Sequence, residues 1–120
     1  MNESIPPLPL AQVINGTHTD IVVQVFRDRI FVVVTQLARM GTLLFASQEE
    51  NSMGEKDYTV NILMGRRDDP LLTIYARQLV EQIGKSSDLP LLLAITLKDE
   101  GRDSATFQEV VNLVLRLKCW

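Results

Sequence analysis

Apolar and polar positions divide this chain into eight runs of two different periods. Leu10–Ile14 and Asp20–Phe26 read as strands, joined by an Asn15-Gly16 turn whose residues both tolerate positive φ. In the second run Ile21, Val23 and Val25 share one face, and Val22, Gln24 and Phe26 the other. Arg27-Asp28-Arg29 is a polar turn into Ile30–Val34, five apolar residues in succession, which reads as a strand buried on both faces. Thr42 to Phe45 starts a fourth strand, and Tyr58 to Met64 alternates as a fifth. Between them Ser47–Asp57, SQEENSMGEKD, is polar and predicts a mobile loop.

The period then changes. Asp69 and Pro70 form a helix start, and Leu72, Tyr75, Ala76, Leu79 and Ile83 follow at helical spacing up to a stop at Gly84. Pro90–Leu97 is a second near-continuous apolar run, suited to a central strand. A last helix begins after an N-cap at Asp103, or at a Thr106/Glu109 capping box, with Phe107, Val110, Val111, Val114 and Leu115 or Leu117 as its stripe. The order is five strands, a helix, a strand and a helix, and a meander is the simplest arrangement of the first five. The fold class is α+β, a two-layer sandwich. It has a mainly antiparallel sheet of about six strands, with two helices on one face. Two helices cover only one face of such a sheet, yet two of its strands are apolar on both. The other face is therefore expected to serve in dimerisation, sheet against sheet.

Residues 1–9, with Pro6, Pro7 and Pro9, read as a flexible tail before a single domain over 10–120. PPLP suits a WW or SH3 groove, or is an ordinary lead-in to the first strand. The 120 residues, 46% hydrophobic and 22% charged, are enough for one modest core. A net charge of −3 provides no basic footprint for nucleic acid. No apolar run is long enough to cross a membrane as a helix, and the N-terminus lacks a signal-peptide pattern. A lone cysteine, Cys119, fits a reducing compartment. The expected location is the cytosol, with or without the nucleus.

Catalytic chemistry finds little support. His18 is the one histidine and falls in a polar turn. Cys119 has no histidine nearby in sequence, no Cys/His spacing suits a metal, and Gly65-Arg66-Arg67 lacks the rest of a phosphate loop. Asp68 and Asp69 suit a helix N-terminus. Met40 and Gly41 read as core filler and a positive-φ connection. Neither enzyme activity nor a cofactor is expected.

Val32-Val33-Val34-Thr35-Gln36, followed by Arg39-Met40-Gly41-Thr42-Leu43, resembles the proteasome assembly chaperone 3 family. The likeness continues through Leu63-Met64-Gly65, Asp69-Pro70-Leu71, Ala76 and Leu79, then Pro90 to Ala94 and the terminal Trp120. It implies a non-catalytic chaperone that pairs with a related subunit, proteasome assembly chaperone 4, or with itself. It also implies that the pair promotes assembly of the α ring of the 20S proteasome and leaves before maturation. Ile30, Val32, Val34, Leu91, Leu93 and Ile95 are then the candidate dimer-interface residues, and Glu49, Glu50 and Glu55 the candidate α-subunit contacts. The alternative is a stable homodimeric scaffold or adaptor that remains in its complex.

Overall fold

The two runs that are apolar on both faces lie side by side at the centre of the sheet. The structure, a computed structural model, describes residues 10–14, 16–36, 41–65, 70–97, 104–117 and 120. Its strands are β1 (Leu10–Ile14), β2 (Thr17–Val25), β3 (Ile30–Thr35), β4 (Thr42–Glu50), β5 (Lys56–Met64) and β6 (Leu91–Thr96). Its helices are α1 (Pro70–Ile83) and α2 (Ser104–Arg116). The tail at 1–9, the caps expected at Asp69 and Asp103, Arg66-Arg67, Met40 and Cys119 lie outside the described residues.

Spatial order in the sheet is β1-β2-β3-β6-β4-β5, so the expected five-strand meander is broken. β6 enters between β3 and β4, parallel to β3 and antiparallel to β4. Central positions have strands on both sides and a helix layer on one face, which suits the most continuously apolar segments. β4 consequently starts on the other side of β6 from β3, beside the end of β6. There Gly41, at φ +67°, lies against Thr96 and the Ile95 carbonyl, with no room for a β-carbon.

Both helices pack on one face. Leu72, Tyr75, Ala76, Leu79, Val80 and Ile83 of α1, with Val110, Val111, Leu113 and Val114 of α2, are buried against the sheet. Val80 and Leu113 extend the stripes expected from spacing. Tyr75 and Phe107 stack with ring centroids 4.2 Å apart, joining the two helices. Trp120 packs against the same core. At the sheet end near Gly41, Gln36 Nε2 donates to Thr19 Oγ1 at 3.1 Å, and Thr19 Oγ1 donates to the Thr17 carbonyl at 3.2 Å.

The expected loop over Ser47–Asp57 is instead a long hairpin. β4 leaves β6 after Ala46 but stays paired with β5 as far as Glu50 and Lys56. The turn closes on Asn51, whose Oδ1 accepts from the N–H groups of Met53 and Glu55 at 2.9 and 3.0 Å. This arm extends beyond the core, so its strands need no apolar face and show no hydrophobic alternation. Backbone pairing and turn chemistry hold it.

Candidate interaction face

The face opposite the helices has no helix over it among the described residues, and its side chains form ordered cross-strand rows. One row runs Gln24, Phe31, Leu92, Phe45, Asn61 across β2, β3, β6, β4 and β5. The next runs Val22, Val33, Ala94, Leu43, Met64. Phe31, Val33, Leu43, Phe45 and Leu92 remain half-buried, shielded only by their neighbours in the sheet. A bulge at Leu43/Leu44 in the pairing with β5 leaves Leu63 and Met64 both exposed. Phe26 adds a third exposed apolar side chain at the opposite end of the sheet. Two contiguous apolar rows bordered by polar groups have the composition of an interface core with its rim.

The border has its own order. Arg29 places its guanidinium 6.0 Å from the ring centroid of Phe45 and donates to the Asp28 carboxylate at 3.1 Å. That hydrogen bond, with the guanidinium's charge, holds the Asp28 carboxyl below its ordinary value. At the far end of β2, His18 Nε2 and Asp20 Oδ1 lie 2.9 Å apart, both well exposed.

The six residues expected at the interface occupy the other side. Ile30, Val32, Val34, Leu91, Leu93 and Ile95 are all at most 1% exposed, sealed beneath the helices. On the same two strands Phe31, Val33 and Leu92 are the residues that face outward. In a run apolar at every position, alternation carries no sign of which face is which. The register with β2 and β4 supplies it, since Val32 pairs with Val23 and Leu93 with Leu44, all buried.

Glu49, Glu50 and Glu55 lie on the hairpin and are exposed. The arm is fastened along its length to the end of α1 and the segment that follows it: Gln48 Nε2 donates to the Ser87 and Leu89 carbonyls at 3.0 and 3.3 Å, and Lys56 Nζ donates to the Gly84 carbonyl at 2.6 Å. An open, polar hollow of about 290 Å³ lies there, lined by Gln48, Glu49, Glu50, Lys56 and Asp88. Among the described residues no cluster of three or more His, Cys, Asp or Glu is placed to hold a metal. No helix among them is long and apolar enough to cross a membrane.

A family model described as Proteasome assembly chaperone 3 matches residues 32–116, which span most of β3, all of β4, β5 and β6, and both helices. The chain belongs to the proteasome assembly chaperone 3 family. It is 35% identical to the Bos taurus proteasome assembly chaperone 3 over 83% of this chain and 84% of that one. The Homo sapiens protein of that name is 31% identical over 85% and 86%, and the Nematostella vectensis protein 33% over 76% and 74%. Among solved structures, a chain from the crystal structure of a novel chaperone complex for yeast 20S proteasome assembly superposes with a TM-score of 0.76. That likeness covers 94% of this chain and 98% of the other at 13% identity, and it speaks for the fold. The family is one of chaperones for proteasome assembly, which fits a non-enzymatic role.

Proposed function

We propose that this chain is a non-catalytic chaperone working as one half of a dimer. Its partner is a related subunit of the proteasome assembly chaperone 4 kind, or a second copy of itself. The dimer promotes formation of the 20S proteasome α ring and is released before the particle matures. The observation that carries this reading is the pair of apolar cross-strand rows on the helix-free face, one through Leu92 and one through Ala94, the latter itself buried between its neighbours. Docking a second sheet there gives helix–sheet–sheet–helix layers about 10 Å apart between the sheets. The fastened hairpin, with Glu49, Glu50 and Glu55, is proposed to touch α subunits through polar contacts that permit later release. The cytosol, with or without the nucleus, is the proposed site of action.

Affinity purification of the tagged chain from its own cells tests this. Co-recovery of α subunits and a second small chaperone, with mature β subunits depleted, is the expected result. Recovery with complete proteasomes would identify a resident scaffold subunit. Recovery with neither would overturn the assignment.

A further inference from the structure

Five Ser or Thr residues have an acidic residue three places further on: Thr17, Ser47, Ser52, Thr96 and Thr106. That spacing suits the basic substrate groove of an acid-directed protein kinase, and in sequence alone the five are equivalent. The fold separates them. Thr17, Ser47 and Thr96 are half-buried within β2, β4 and β6, each opposite a residue of a neighbouring strand. Thr106 is buried in α2. Of the five, only Ser52 is exposed and outside any strand or helix, at the tip of the β4–β5 hairpin.

Charge lies on both sides of it. Glu49 and Glu50 precede Ser52 by three and two places, and Glu55 and Asp57 follow by three and five, all of them exposed. Over 47–57 these four carboxylates stand against Lys56, a net of −3. Met53 and Gly54 are exposed too, with open space around Gly54.

A kinase cleft takes its substrate segment in extended form, so the turn has to open. Three hydrogen bonds to Asn51 close it: Oδ1 accepts from the Met53 and Glu55 N–H groups, and the carbonyl from the Gly54 N–H at 3.0 Å. Little else opposes opening. Beyond Ala46 the arm is a two-stranded ribbon, which is marginal on its own. Glu49 stands directly opposite Asp57, a like-charge pair that weakens the ladder. Opening back to Glu50 leaves Gln48 bonded to the Ser87 and Leu89 carbonyls.

We propose that Ser52 is the phosphate acceptor of an acid-directed protein kinase that uses ATP. Ser52 Oγ attacks the γ-phosphorus: the Oγ–P bond forms, the bond to ADP breaks, and the hydroxyl proton passes to the kinase's catalytic base. The phosphate takes the charge over 47–57 from −3 to about −5 at neutral pH. Its charged neighbours along the chain are carboxylates, so it works against the closed turn. The site is independent of the pairing face and of what the hairpin touches.

Incubation of the purified full chain with casein kinase 2 and ATP, followed by peptide mass spectrometry, tests the acceptor. One phosphate on Ser52 is expected. Ser52→Ala should abolish it, and Glu55→Gln should slow incorporation roughly tenfold by removing a charge the groove reads. Both changes lie at an exposed tip, and circular dichroism checks that the variants fold. The phosphorylated chain should exchange amides at residues 51–55 several-fold faster than the unmodified one. The chain recovered from its own cells under phosphatase inhibition should carry phosphate on Ser52. Incorporation at Thr17 or Ser47 with Ser52 untouched, or none at all, would overturn the site. Incorporation indifferent to Glu55→Gln would overturn the class of kinase, and unchanged exchange the loosening of the turn. Ser52 unmodified in the cell-derived chain would overturn the proposal whatever the purified reaction gives. Whether α subunits accompany the chain bears on the proposed function alone, so the two readings fail separately.

Discussion

Val32 and Val33, adjacent in β3, face opposite worlds: Val32 is fully buried under the helices and Val33 half-exposed on the bare face. Val32→Ala opens a small cavity and should cost about 2 kcal/mol at any protein concentration. Val33→Ser should cost little in the monomer, and its destabilisation should grow with concentration as pairing is lost. Thermal melts across a hundredfold concentration range separate the two. Equal behaviour would contradict the assignment of faces.

Phe107 holds α2 against Tyr75 of α1 by ring stacking at an interplanar angle of 25°. Phe107→Ala should lower stability by about 2–4 kcal/mol, and Phe107→Leu by less than half of that. Chemical denaturation at fixed concentration gives both values.

Gly41 lies beside the end of β6 at φ +67° against Thr96 and the Ile95 carbonyl. Gly41→Ala therefore meets both a steric and a backbone penalty, expected to total about 2–4 kcal/mol. Gly54, in the hairpin turn with open space around it, has the positive φ alone, so Gly54→Ala should cost about 1 kcal/mol. The difference between these two melts is the observable.

Lys56 fastens the hairpin to the C-terminal end of α1 through the Gly84 carbonyl. Lys56→Met should cost about 0.5–1 kcal/mol and speed amide exchange in residues 51–57 while leaving β3 and β6 unchanged. Exchange measured by mass spectrometry on peptides from the hairpin would show it.

Asp28 titrates below its ordinary value because Arg29 hydrogen-bonds its charged form. Its contribution to stability is present above the unfolded-state pKa and fades as pH falls through the lowered folded value. Arg29→Ala should move the Asp28 carboxyl upward in an NMR titration, and an unmoved value would remove Arg29 as the cause.

Much of the architecture was legible in the chain itself. Period-2 and period-3.6 patterns, Pro70 and the Asn15-Gly16 turn located the six strands and two helices to within a few residues. Ile30–Val34 and Pro90–Leu97 were recognisable as central because they are the most continuously apolar strand-length runs in the chain. The hairpin was hidden, since its polar strands bury no face and leave no periodic signal. So was the crossing of β6 between β3 and β4, which local patterns do not encode.

The decisive omission was phase. Local sequence specified which strands carry apolar side chains to both sides. Only the register with Val23 and Leu44 decided that Val32 and Leu93 lie under the helices while Val33 and Leu92 remain outside. Alternation of a uniformly apolar strand is symmetric under exchange of its faces, and that symmetry is broken only when neighbouring strands and helices pack.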